Sequence, residues 1–284
     1  MSEYIKRNQS KLIILSLVFA AVFVWSTIFK LEDGNLHLKV FDVGQGDSIF
    51  IRTPSGYKIL IDGGPNDKVL DHLGAELPFY DKTLDLVVLT HPQADHLTGL
   101  IDVAKTYKIK QLWISYGENT TAQYDDWTNV LDSEGIKPRL IWSGDQINFP
   151  DSTVLKVVWP KEKTSYTDLN TTSVVLYLDY KDFEALLTGD ADQQVQPYAG
   201  NISNIEFLKV PHHGSKTALR PDYLTRISPE ISVISVGAKN RYGHPSQILL
   251  NLFDKSKTNI YRTDQNGTVE IVTDGTSWYT TTDR

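Results

Sequence analysis

The run Thr90-His91-Pro92-Gln93-Ala94-Asp95-His96 places three side chains with metal affinity within six positions. The stretch before it, Leu86-Val87-Val88-Leu89, is continuously apolar and reads as a buried strand. The group therefore falls where a strand gives way to a loop. Neutral imidazoles with a carboxylate suit Zn²⁺ or Mn²⁺ better than Ca²⁺ or Mg²⁺. An ion held this way brings the ionisation of water close to neutral pH, so His91, Asp95 and His96 point to a metal-dependent hydrolase. As a plain turn, the same run would use Asp95 only to cap the helix that follows.

The chain has seven histidines, and five of them (His91, His96, His212, His213 and His244) stand beside Gly, Pro or Asp at the apparent ends of strands. Such loops are where functional groups collect on a rigid scaffold. Ala185-Leu186-Leu187-Thr188-Gly189-Asp190 is an apolar strand ending in a carboxylate, and Asp190 is placed to bridge cations. Phe207-Leu208-Lys209-Val210 runs into Pro211-His212-His213-Gly214-Ser215. Neighbouring side chains on a strand point opposite ways, so one of the two histidines is expected to bind, with His212 slightly preferred and His213 the alternative. His244, in Gly243-His244-Pro245-Ser246, has three readings: metal ligand, contact for an anionic substrate, or proton donor to a leaving group.

The elements that must position these residues alternate between strand and helix patterns. Strands are expected at 36–41, 48–52, 57–61, 84–90, 111–115, 139–142, 154–158, 173–180, 184–188, 205–211, 231–236, 259–262 and 268–272. Helices are expected near 94–105, 122–134, 191–199, 218–226 and 246–255. Pro54-Ser55-Gly56 marks a hairpin, and Gln265-Asn266-Gly267 joins the last two strands. Gly99 lets the helix after the histidine motif pack tightly. Many strands with interspersed helices predict stacked α/β layers.

Leu12 to Phe29 carries no charge over eighteen positions and follows Lys6, Arg7 and Lys11. At about 1.5 Å per residue it would span roughly 27 Å of hydrocarbon. It reads as an uncleaved single-pass anchor (residues 1–30) with the remainder, residues 31–284, exported. A cleaved signal peptide ending near Val18-Phe19-Ala20 is the competitor, but the apolar run continues past it. The chain has no cysteine, which excludes thiolate ligands and thiol nucleophiles. A net charge of −7 argues against broad electrostatic binding of nucleic acid, though not against a local groove.

These pieces, in this order, resemble the metallo-β-lactamase superfamily, and within it the extracellular hydrolase domain of ComEC-type competence proteins. The matching residues are Phe41-Asp42-Val43-Gly44-Gln45-Gly46-Asp47-Ser48, Leu60-Ile61-Asp62-Gly63-Gly64, the His91–His96 motif, Thr188-Gly189-Asp190, Lys209 to Ser215 and Gly243 to Ser246. The resemblance covers about residues 36–274. It implies an αββα four-layer sandwich with metals at one edge of the sheets. It implies ligand roles for His91, Asp95, His96, Asp190 and one of His212 or His213. Asp62 would orient a ligand histidine, and Gln45 and Asp47 would lie in a loop near the site.

Two departures stand out. Gln93 replaces the second histidine of the fuller His-x-His-x-Asp-His motif, and no histidine lies between His96 and His212, where Asn170 stands near the missing ligand's place. The site around His91 is thereby impoverished, and Zn²⁺ occupancy of two sites is in doubt. The leading expectation is phosphodiester hydrolysis outside the membrane, acting on DNA, with Asp95 and His244 catalytic, Ser215 and Lys216 steadying phosphate oxygens or the leaving group, and Asn240 contacting substrate. The rivals are hydrolysis of another ester, lactone or small phosphodiester, and an anchored binding module with relic ligands. Competence proteins carry a multi-span channel, so a separate channel partner is a further expectation.

Overall fold

The computed structural model describes residues 2–28, 33–162, 165–166, 168–198, 200–256 and 258–284. Two mixed sheets carry the molecule. The eight-stranded sheet runs, edge to edge, Trp278–Thr282, Val269–Thr273, Leu36–Val40, Ile49–Arg52, Lys58–Ile61, Leu86–Leu89, Leu112–Ile114 and Pro138–Leu140. The seven-stranded sheet runs Asn259–Arg262, Ile231–Ile234, Phe207–Lys209, Phe183–Leu187, Val175–Tyr180, Val154–Trp159 and Gln146–Asn148. Each sheet is part antiparallel and part parallel; the His91 motif and Asp190 both follow strands of the parallel parts.

Side-chain alternation decides the layering. Leu86 and Val88 face one apolar cluster together with Ala185, Leu187, Phe207, Ile231 and Val233, so the two sheets pack on each other. Val87 and Leu89, on the opposite face, join Leu97, Leu100 and Trp127 under the helices Ala94–Thr106 and Ala122–Glu134. Leu186 and Leu208 join Leu224, Leu249 and Phe253 under the helices Pro221–Ile227 and Gln247–Phe253. Helix, sheet, sheet, helix is the αββα order expected, and the period of two along each strand is what permits a buried residue on both faces.

Several expectations are corrected. The helix expected over 191–199 reduces to a 3₁₀ turn, Gln196–Tyr198, and residue 199 lies outside the described residues. A helix at Lys68–Glu76 was not foreseen. The strands Asn259–Arg262 and Val269–Thr273 are joined through Gln265-Asn266-Gly267 as expected, but they belong to different sheets, and the short helix Thr263–Asn266 between them carries the crossing. Further strands at Gln146–Asn148 and Trp278–Thr282 close the sheet edges.

The N-terminal stretch is helical over Ser2–Ile28. Among the described residues no helix is long and apolar enough to cross a membrane. The end of the expected span, Phe29, and the linker residues Leu31 and Glu32 lie outside the described residues.

Gly99 has the packing role its position suggested. A Cβ there would lie 2.0 Å from the Gly63 carbonyl oxygen and 2.6 Å from that of Asn66. The helix Ala94–Thr106 is therefore seated directly on the loop that follows Asp62. Gly99→Ala is expected to cost about 1–3 kcal/mol by overpacking, since both obstructing atoms are backbone. A thermal melt of the variant checks it; an unchanged midpoint would show that the loop yields freely.

Candidate metal centre

Asp95 and His96 sit in the first turn of the helix Ala94–Thr106, whose N-cap is Gln93. Neither Asp95 nor Gln93 makes a side-chain cap bond there, so Asp95 is free for another task. His96 is fully buried, and its Nδ1 donates to Asp62 Oδ2 at 2.8 Å. Asp62 also accepts from the Thr90 amide at 2.8 Å and the Thr90 hydroxyl at 2.7 Å. To reach both partners it adopts a left-handed backbone with φ of 59°, a conformation that aspartate tolerates better than most residues. With Nδ1 committed, Nε2 is the atom turned inward. Burial opposes a charge on this ring, but Asp190 and Asp62 raise its pKa well above the ordinary value in the ion-free protein, so a cation binding at Nε2 would displace a proton.

From the opposite sheet, Asp190 follows the strand Phe183–Leu187 and is 1% exposed. Its Oδ1 lies 3.4 Å from His96 Nε2, and its Oδ2 lies 3.5 Å from His213 Nε2. His213 Nε2 is also 3.2 Å from Asp95 Oδ2. The chain turns sharply at Pro211–Gly214, and His212 and His213 both take left-handed φ values, 49° and 50°. Two such residues in succession are strained. The turn sends His213 into the cluster, where Nδ1 donates to the Ser235 carbonyl at 3.0 Å. His212 faces elsewhere, 3.3 Å from the Asn170 amide. The structure thus brings His213, and not the slightly preferred His212, into the cluster, by backbone geometry that strand alternation does not describe.

Donor atoms of Asp95, His96, Asp190 and His213 all lie within 4.8 Å of one another. Asp47, Asp62 and His96 form an adjoining group on the same criterion. His96 Nε2, His213 Nε2 and Asp190 Oδ1 are buried without a hydrogen-bond partner. Buried polar atoms are rarely left so, and a shared cation is the partner that would satisfy all three. The donor set, imidazole and carboxylate without thiolate, fits a divalent ion of the Zn²⁺ or Mn²⁺ kind. His91 stands beside this group: its ring is 4.2 Å from that of His96, and its buried Nε2 is also without a partner. Burial first, and then the neighbouring His96, push its pKa down to about 3, so it is neutral.

Other expected residues are placed differently. Asn170 is buried with Oδ1 unpartnered and its amide on His212. Gln45 accepts from the Gly237 amide at 3.1 Å. Asn240 spends its amide on the Gly237 and His244 carbonyls and its Oδ1 on the backbone of Tyr242 and His244. Both therefore shape loops. Ser215 hydrogen-bonds Thr217 within its own turn. Lys216 is exposed and lines a surface pocket with Gln193, Ile248 and Lys255, not the metal cluster. His244 lies 5.8 Å ring to ring from His212 and is stacked under the exposed Tyr242. Burial, together with His213 and His212, pushes its pKa down to about 4.

Sequence reasoning did not assign Lys209 a role. It is fully buried at the end of its strand, with Nζ on the Asp47 carboxylate and on the Val210 carbonyl at 3.0 Å. A lysine inside an otherwise apolar strand was the available signal, since lysine is almost never fully buried unless paired.

The family model of the metallo-beta-lactamase superfamily matches residues 41–238, which contain the whole cluster. The chain belongs to that superfamily. It is thus a metal-dependent hydrolase by family. ComE operon protein 3 of Bacillus subtilis is 28% identical over 93% of this chain and 36% of its own length. Competence protein ComA of Neisseria gonorrhoeae is 28% identical over 82% of this chain and 31% of its own. The chain spans about a third of the length of the curated relatives it matches. Among solved structures, the metallo-beta-lactamase fold protein YhfI of Bacillus subtilis covers 80% of this chain and 96% of its own at TM-score 0.53 and 11% identity. A long form RNase Z from yeast covers 84% of this chain and 42% of its own, at TM-score 0.51 and 11% identity. At such identities the likeness is one of fold.

Proposed function

We propose that this superfamily member is a membrane-anchored, extracytoplasmic phosphodiesterase that acts on DNA. The observation that carries the reading is the convergence of donor atoms from Asp95, His96, Asp190 and His213 where the ends of the two sheets meet, those of His96, Asp190 and His213 buried without a partner. The choice of DNA as substrate rests on the resemblance to competence-type proteins, with which the names of two relatives agree. Anchoring is supported by the N-terminal helix, where Leu12, Leu15, Leu17, Phe19 and Val22 are exposed. A separate channel protein would be its partner in DNA uptake.

Asp95, His96, Asp190 and His213 would hold the ion, with His91 at the edge of the group. A bound divalent ion would acidify a coordinated water and polarise a phosphoryl oxygen. The side chain of Asp95 is 30% exposed, against 2% or less for His96, Asp190 and His213, so it is the ligand that meets substrate and can orient the attacking water. His244 is neutral at pH 7, given its lowered pKa. It would donate a ring N–H to a phosphate oxygen; protonating a leaving group would first require the phosphate's own charge to raise that pKa.

The test is metal analysis of the purified full chain with assays on single-stranded DNA, bis-p-nitrophenyl phosphate and a lactone. Metal-dependent cleavage of the phosphodiesters supports the reading; turnover of the lactone alone, or no bound metal, sinks it. His213→Ala is expected to weaken divalent-ion binding by more than about 100-fold, beyond the ~10–100-fold typical of losing an outer partner, while His212→Ala leaves binding nearly intact. The opposite ranking in a chelator competition would return the ligand role to His212.

A pH dependence follows. Burial alone would lower the pKa of His213, but Asp190, with the nearby carboxylates of Asp47 and Asp95, raises it to about 10 in the ion-free protein. The stability this proton contributes is fully present below the ordinary value of 6.5 and is lost as pH rises through about 10. An incoming cation must displace the same proton. Ion binding is therefore expected to release protons and to tighten as pH rises toward about 10. Calorimetry in buffers of different ionisation enthalpy reads the proton count, and an affinity independent of pH would contradict it.

A further inference from the structure

Asp47 is 2% exposed and lies in the loop between the first two strands of the larger sheet. Each of its polar groups touches a different part of the metal centre. Its backbone N–H donates to the Asp95 carbonyl at 3.2 Å. Its Oδ2 accepts from Lys209, which comes from the other sheet. Its Oδ1 is buried without a hydrogen-bond partner and stands 3.4 Å from His213 Nδ1. Gly46 makes the approach feasible, since a Cβ there would lie 2.2 Å from the Asp95 carbonyl oxygen.

An isolated carboxylate at this depth would be costly, and so would an isolated ammonium. Paired, they become a fixed dipole whose free oxygen faces the imidazole. We infer that Asp47, locked by Lys209, is a positioning residue for His213: it holds the proton on Nδ1, beside the Ser235 carbonyl, and so keeps Nε2 turned toward Asp190 and Asp95 as a lone-pair donor. The inference rests on the reading of His213 as a ligand. It gives the buried ion pair a task that the packing of the fold does not require, because an apolar pair of similar volume would fill the same space as well.

That substitution is the test. In the full chain, the double variant Asp47→Leu with Lys209→Met removes both charges together. Its ion-free melting temperature is expected to stay close to the parent's, while its affinity for Zn²⁺ or Mn²⁺ falls by about 10–100-fold, the scale seen when a ligand histidine loses its outer partner. Asp47→Asn, which keeps the shape, is expected to show the same loss should the double variant fail to fold. In the Zn²⁺-loaded chains, nitrogen-15 NMR is expected to show the His213 Nδ1–H exchanging with solvent faster in the variants than in the parent, a change that a purely structural role would not produce. The inference is overturned by an Asp47→Asn chain that binds Zn²⁺ as the parent does. His213→Ala separates the two levels: if it also binds as the parent does, the ligand reading has failed; if it alone loses the ion, only the role of Asp47 has.

Discussion

Asp190→Asn is expected to abolish metal-dependent hydrolysis, with a fall of at least about 100-fold, the scale of removing one preorganised electrostatic group from a site. Asp190 is the residue between the two inward-facing imidazoles, with one oxygen 3.4 Å from His96 Nε2 and the other 3.5 Å from His213 Nε2. Burial would raise its pKa, but His213 and His96 beside it hold the carboxyl well below the usual range, so it is an anion throughout the working pH range. Asparagine has nearly the same volume and removes that charge. Its amide would also turn a donor toward the imidazoles. The backbone N–H of the residue keeps its bond to the Ser173 hydroxyl at 3.2 Å, so the turn itself should survive. The expected result is a chain that folds, shown by circular dichroism, and neither binds the ion nor turns over phosphodiester. Unchanged turnover would remove Asp190 from the centre.

The second large effect concerns stability. Lys209→Met alone is expected to cost about 3–5 kcal/mol in chelator, because it leaves the Asp47 carboxylate buried and uncompensated. Methionine fills most of the lysine stem's volume, so the loss would be electrostatic and not a cavity. Asp47 is held far below the ordinary carboxylate range in the native protein: burial opposes this, and Lys209, with His213 after it, outweighs burial. Urea denaturation of parent, single variants and the double variant reads the coupling directly. A loss below about 1 kcal/mol for Lys209→Met would mean that the pair is worth no more than one at the surface.

What the sequence revealed, and what it hid, divides along the range of the interactions. The strand Leu86–Leu89 and the helix Ala94–Thr106 were legible because their signals are local: an apolar run, then a break at Pro92, then helical spacing. Asp95, His96 and Asp190 were legible as strand-end residues with metal chemistry, and the structure brings them together. His213 was not separable from His212, since the choice depends on two consecutive left-handed residues, and a pattern of alternation carries no sign of φ. The partnership of Lys209 with Asp47 spans 162 positions and joins separate sheets, so neither residue's neighbours announce it. The connection between Asn259–Arg262 and Val269–Thr273 was legible as a turn at Gln265-Asn266-Gly267, but not as a change of sheet. Here that turn follows a helix of four residues that carries the chain across from one sheet to the other.

The origin of the ligand pairs has a consequence for assembly. Asp95 and His96 belong to the layers of the larger sheet, and Asp190 and His213 to those of the smaller one. Neither half of the polypeptide alone carries more than two of these donors. An ion that needs all of them can be captured only after the halves have docked, and once captured it clasps them like a rivet through two plates. Fragments made by a cut between Leu140 and Gln146, which separates the two ligand pairs, should accordingly reassociate more tightly when zinc is present than when it is withheld.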